Sequence, residues 1–129
     1  MGSEMCIRDR DDHVRHASDH SFTFANFVEF DSLYGHRRDV SGYASALEWF
    51  DQKMAGVLSQ LRPDDMLILT ADHGNDPTWV GTDHTRERVP VLIAGALPKD
   101  IGVIGFSDVA ATIARFFDVP YRGEGKNIV

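Results

Sequence analysis

Long apolar runs, a second cysteine and an excess of basic residues are all missing from this 129-residue chain. A single cysteine, Cys6, excludes an internal disulfide and points to a reducing compartment. No apolar stretch is long enough to span a bilayer, and the N-terminus has no apolar signal-peptide core, so the cytoplasm is the expected location. With 13 basic against 20 acidic residues the net charge is −7, which argues against a general nucleic-acid surface. It suits a protein that places carboxylates around divalent cations, although any acidic soluble domain would look the same. The remaining composition, 43% hydrophobic and 26% charged, is that of one ordinary globular domain with a core.

Residues 1–20 stand apart. They are highly charged, follow neither a strand nor a helix period, and open on Met1-Gly2-Ser3-Glu4-Met5-Cys6-Ile7-Arg8-Asp9-Arg10, which reads like a translated adapter. His13, His16 and His20 fall at helical spacing. A surface metal ladder would use that spacing, but a solvated, poorly ordered tail is the simpler reading. This segment is therefore set apart as non-native or disordered, and residues 21–129 are taken as the domain.

From Ser21 the pattern becomes regular. Phe22, Phe24, Phe27, Val28 and Phe30 predict a buried strand. A helix follows from Asp39, a plausible N-cap, to Leu61, with Val40, Tyr43, Leu47, Phe50, Met54, Val57 and Leu61 forming one apolar stripe. Met66–Thr70 and Val89–Ala94 predict two further strands, and Ile101–Ile104 a short one. Ser107 is expected to cap a last helix whose Val109, Ala110, Ile113, Phe116 and Phe117 face inward. Strands alternating with helices imply an α/β fold, a mostly parallel sheet flanked by helices, with chemistry at the strands' carboxyl ends.

Five metal-ligand residue types fall in the loops of this pattern. Asp31 and His36 follow the first strand, Asp72 and His73 the second, and His84 lies in the polar run Gly81–Glu87 before the third. Carboxylate oxygen and imidazole nitrogen suit Zn²⁺ or Mn²⁺. Alone, Asp31 and His36 read more simply as an Asx turn, with His36 beside Arg37 and Arg38 on a solvated stretch. Asp72 and His73 are the stronger pair, because a carboxylate at the end of an apolar strand needs compensation. Two structural alternatives stand beside that reading: Asp72 capping a helix, or His73 donating to a backbone carbonyl. Together the five converge on one edge of a sheet.

Three segments carry a family resemblance: Asn26–Asp39 (NFVEFDSLYGHRRD), Leu67–Trp79 (LILTADHGNDPTW) and Gly81–Glu87 (GTDHTRE). From about Ser21 to its end the chain resembles the phosphopentomutases of the alkaline phosphatase superfamily. The Pro77-Thr78-Trp79 to Arg86-Glu87 continuation separates it from cofactor-independent phosphoglycerate mutases, which share a bare Asp-His-Gly. The resemblance implies two divalent metals, with Mn²⁺ the usual ion. Asp31, His36 and His84 would hold one. Asp72 and His73 would hold the other with an aspartate from an N-terminal region. It further implies a phosphothreonine that exchanges its phosphoryl group with (deoxy)ribose 1-phosphate and 5-phosphate.

That N-terminal core segment, the threonine and a cap domain find no counterpart in this sequence. The expectation is therefore a C-terminal portion, inactive alone, of a pentose-phosphate enzyme that binds neither nucleic acid nor membrane. Its oligomeric state is open. Other phosphatases or mutases of the superfamily are the alternative, as is a non-catalytic metal-binding fragment. Glu29 stands where the family usually has Asp and receives no ligand role.

Overall fold

A computed structural model describes Val14 and residues 16–129; Cys6 and His13 lie outside the described residues. The chain divides into two compact units, Met1–Gly95 and Ala96–Val129.

In the first unit the expected strand at Phe22–Phe30 is not a strand. Residues 21–27 have no regular structure, and Phe30–Gly35 forms a single π-helical turn. His36 N–H bonds the Asp31 carbonyl at 2.9 Å and Asp39 N–H the Tyr34 carbonyl at 3.0 Å, both i to i−5. Such widened turns commonly mark functional sites. The apolar run suggested a strand buried on both faces, but the pair that packs is Phe27 and Phe30, at helical spacing. Their rings meet Phe50 edge-on at 5.0 and 5.8 Å, and Phe30 also meets Tyr43 at 5.8 Å. Phe22 and Phe24 remain 60% and 80% exposed.

Helix α1, Val40–Leu58, starts as expected at Asp39, whose carboxylate accepts from Gly42 N–H at 2.9 Å. It ends three residues earlier than the apolar stripe suggested. There the Ser59 hydroxyl and Gln60 side chain both donate to the Gly56 carbonyl, replacing the next turn's bonds.

Strands β1, Leu67–Thr70, and β2, Val91–Ala94, pair antiparallel, Leu67 opposite Ala94 and Thr70 opposite Val91. The helices and small sheet make an α/β chain, but this pairing is not the parallel one expected. A parallel pair needs a crossover, usually helical, and residues 71–90 contain no helix. They instead fold back on themselves, with Gly74 and Thr85 forming an isolated antiparallel bridge. Asp72 and His73 do sit just beyond β1, as expected.

In the second unit Ile101–Ile104 is not a strand. Gly102, at φ 63°, turns under the Asp100 carboxylate, which accepts its N–H at 2.8 Å. Helix α2, Phe106–Phe116, is capped at Gly105 rather than Ser107, because Asp108 reaches back to Gly105 N–H at 2.8 Å. The same carboxylate accepts from Lys126 N–H at 2.8 Å. Tyr121 hydroxyl donates to the Ser107 carbonyl, and Ile128 N–H donates to Thr112 Oγ1 at 3.1 Å. The irregular tail is thus laced to α2, and Thr112 and Ala111 become the buried positions, while Ala110 and Phe116 are exposed.

Among the described residues no helix is long and apolar enough to cross a membrane.

Candidate metal centre

The π-turn decides where the first two ligands point. Asp31 lies inside it and His36 caps it, so one widened turn brings carboxylate and imidazole to the same side. His36 Nε2 lies 3.2 Å from Asp31 Oδ2. His84, from the far end of the 71–90 loop, brings its Nε2 to 3.3 Å from Asp31 Oδ1 and 3.1 Å from His36 Nε2. One ligand atom from each of the three residues lies within 4.8 Å of the others.

The hydrogen bonds show what that meeting point wants. His36 Nδ1 faces the Thr82 carbonyl, which can only accept, so Nδ1 carries the proton. In the neutral ring Nε2 is then a lone pair, aimed at a carboxylate oxygen and a second imidazole nitrogen. Such an acceptor-rich point is relieved by a cation. Adjacent ligand atoms of a tetrahedral ion with bonds of about 2.0–2.1 Å would lie roughly 3.3 Å apart. The two imidazole nitrogens stand 3.1 Å apart and lie 3.2 and 3.3 Å from separate oxygens of the Asp31 carboxylate, close to that spacing. The donor set thus fits a divalent transition ion, with the Thr82 carbonyl orienting His36 from behind.

Asp31 is prepared for this. Burial pushes its carboxyl up, but the Asn75 hydrogen bond and the fields of His36, His84 and His73 outweigh that and hold it below the ordinary carboxylate range. Tyr43 moves the other way, raised by burial and by the Asp31 charge.

Asp72 and His73 lie beside this cluster without completing a second. The His73 ring stacks on His84 at 3.8 Å between centroids. His73 Nδ1 donates to the Gly74 carbonyl at 3.2 Å, which leaves Nε2 as the free-standing acceptor. Asp72 Oδ2 is 3.7 Å from that nitrogen, and its side chain is 85% exposed. Among the described residues no third ligand joins this pair; the one group of three is Asp31, His36 and His84. His16 and His20 are both exposed and belong to no such group.

Two neighbours were not singled out as site residues from sequence. Asn75, 9% exposed, donates from Nδ2 to Asp31 Oδ1 at 2.6 Å. Arg38, read as solvated, is instead turned inward and hydrogen-bonded to two loops. The signal for Asn75 was its place directly after Asp72-His73-Gly74; nothing in the Arg37-Arg38 pair says which arginine turns in.

Gly35 is required by a close approach. A Cβ there would stand 2.5 Å from Asn75 Nδ2, so only glycine lets the π-turn lie against that amide. Gly74 is constrained in the same way, since a Cβ would meet the Glu87 carboxylate at 2.5 Å. That carboxylate accepts from the Thr85 hydroxyl, whose oxygen accepts Asp76 N–H at 2.6 Å. These bonds and the Gly74–Thr85 bridge hold the two limbs of the loop together, and with them His73 and His84.

Residues 3–121 match the Metalloenzyme superfamily. Phosphopentomutases from Chromohalobacter salexigens, Yersinia enterocolitica and Vibrio cholerae are 52%, 50% and 51% identical to the chain, over 88%, 90% and 90% of its length. The chain spans 29% of the length of each of these curated relatives. A match covering nearly the whole chain, on a fold that gathers a carboxylate and two imidazoles at one acceptor-rich point, makes this protein a member of the metalloenzyme superfamily.

Proposed function

We propose that this chain forms part of a phosphopentomutase, which interconverts (deoxy)ribose 1-phosphate and (deoxy)ribose 5-phosphate. The observation that carries the reading is the convergence of Asp31, His36 and His84, in a chain about half identical to enzymes of that name. In this reading the three residues hold one divalent ion. Asp72 and His73 hold a second, together with a carboxylate from another part of the parent protein. The imidazole-rich set admits Mn²⁺, expected from the family, and also Zn²⁺. Two such ions supply stabilisation of the anionic entering and leaving oxygens of a phosphoryl transfer.

The chain's own residues do the holding. His36, oriented by the Thr82 carbonyl, and His84, stacked on His73, present nitrogen lone pairs; Asp31 presents its charge. The nucleophilic threonine also belongs to another part of the parent. Thr85 and Thr78 are not assigned that role; their hydroxyls tie the loop together by donating to Glu87 and Asp76 respectively. In the parent, residues 21–129 complete a mostly parallel sheet, with residues 1–20 outside that core. Apolar side chains such as Leu92 and Val80, 62% and 81% exposed here, become covered. Its setting is the cytoplasm.

A second reading is a metal-binding chain without turnover of its own; the 29% coverage of the relatives favours it for these 129 residues in isolation. The alternative of another superfamily phosphatase or mutase differs in substrate. One assay separates all three. With Mn²⁺ and ribose 1-phosphate, the full-length parent is expected to form ribose 5-phosphate and to lose that activity with Asp31→Asn, while the 129-residue chain binds metal without turnover. Release of inorganic phosphate instead of the isomer would favour a phosphatase. Turnover by the 129-residue chain would overturn the assignment of the nucleophile to another segment.

A further inference from the structure

We propose that Arg38 and Asn75 are a positioning relay for the Asp31–His36–His84 centre, setting its metal affinity without either side chain touching the ion. The inference rests on the metal reading above and deepens it.

The Arg38 guanidinium joins two segments that are far apart in sequence. Its Nη1 donates to the Gly35 carbonyl at 3.1 Å, to Asn75 Oδ1 at 2.6 Å and to the Asp76 carbonyl at 2.8 Å. Its Nη2 donates to the Asp83 carbonyl at 2.6 Å, and its Nε to the Gly81 carbonyl. Gly35 belongs to the π-turn that carries Asp31 and His36. Gly81 and Asp83 flank Thr82, whose carbonyl orients His36, and Asp83 directly precedes His84. One planar fork therefore fixes the spacing between the segments that supply all three ligands.

Asn75 carries the same constraint to Asp31. Its Oδ1 accepts from Arg38, so its amide nitrogen must face Asp31 Oδ1, which it meets at 2.6 Å. The amide can satisfy both partners in one orientation only, and that orientation fixes the rotation of the carboxylate. Gly35 lies so close to Nδ2 that a Cβ there would stand 2.5 Å from it.

The backbone of Arg38 shows that this arrangement is imposed. Its φ is 54°, in the left-handed region that L side chains avoid at a cost in backbone strain. Five hydrogen bonds from its side chain offset that cost and hold the residue there. Every bonded acceptor is a neutral oxygen, so what the residue supplies through them is geometry rather than neutralisation of a carboxylate.

Co²⁺ alone, titrated into the 129-residue chain and followed by its visible absorption, tests this. Wild type is expected to bind through Asp31, with Asp31→Asn abolishing the signal; no Asp31-dependent binding by wild type would overturn the metal reading itself. Given wild-type binding, Asn75→Ala and Arg38→Lys should each weaken it about 10–100-fold. Asn75→Ala should also shift the absorption bands, because the carboxylate is free to rotate.

Arg38→Lys keeps the charge, so loss of affinity there marks position rather than field. The two act in series, so an Arg38→Lys/Asn75→Ala double variant should lose no more than the weaker-binding single variant. Wild-type affinity in both single variants, or fully additive losses in the double, would overturn the relay and leave the metal reading intact. Metal-free thermal unfolding is measured alongside. If Arg38→Lys does not fold, Asn75→Ala, which leaves the four backbone bonds of Arg38 in place, decides alone.

Discussion

Asp31 and Asp72 look alike in sequence, each in a loop after an apolar run and each near a histidine, yet the structure treats them differently. Asp31 is part-buried, hydrogen-bonded by Asn75, faced by two imidazole nitrogens and backed by Arg38 through that amide. Asp72 is 85% exposed and has His73 at 3.7 Å. What separates them is the surrounding shell: a ligand becomes a site when other groups fix its orientation before the ion arrives. The first centre carries that shell within this chain. The second pair has one oriented imidazole and an exposed carboxylate, with no third ligand beside them among the described residues.

Several substitutions would break or sharpen that contrast. The largest effect is expected from Asp31→Asn, whose loss of metal affinity should exceed the roughly 10–100-fold typical of losing a supporting partner. Asp72→Asn, measured by the same Co²⁺ titration in the same chain, should leave the affinity of the first centre unchanged. Equal losses from the two would mean that the chain builds one merged site, and the contrast would collapse.

Gly35→Ala comes next. The new methyl meets the Asn75 amide, and overpacking of this kind costs about 1–3 kcal/mol, readable as a lower midpoint in urea. Metal affinity should fall with it, because the displaced amide is the one that holds Asp31. An alanine variant of unchanged stability and affinity would show that the close approach is not maintained in solution.

The smallest effect concerns a carboxylate with no histidine partner. Asp108 is held below the ordinary carboxylate range first by the Lys126 backbone N–H and then by that of Gly105. A depressed pKa means the stabilisation is present above the unfolded value near 3.8 and is lost as pH falls through the lower folded value. Hydrogen exchange at the Lys126 amide should therefore accelerate below that range in wild type, and be fast already at neutral pH in Asp108→Ala. Protection that persists in Asp108→Ala would assign the tail's anchoring to Thr112 instead.

Much of the centre was legible in the sequence because ligand chemistry is local. Asp, His and Gly at strand-end and loop positions announce themselves by type and spacing, and α1, β1 and β2 follow from apolar periodicity and from Asp39 as a cap. The strand expected at Phe22–Phe30 failed for an equally physical reason. A run rich in phenylalanine reads as a buried strand and, at Phe27 and Phe30, has helical spacing as well; packing against Phe50 and Tyr43 selected the second. The one strand pair present, β1 with β2, runs antiparallel because strand direction depends on the crossover, and the 71–90 segment folds back as a long loop.

Arg38 marks the boundary between the two kinds of knowledge. By itself the sequence determined which atoms could bind a cation, since carboxylate and imidazole are the same ligands wherever they stand, and it determined the helix and strands that periodicity encodes. Only the tertiary structure decided which of two adjacent arginines turns inward, which carboxylate acquires a supporting amide, and why residue 35 must lack a side chain. Those choices depend on groups roughly 40 positions apart meeting within hydrogen-bond distance, and no local pattern records such a meeting.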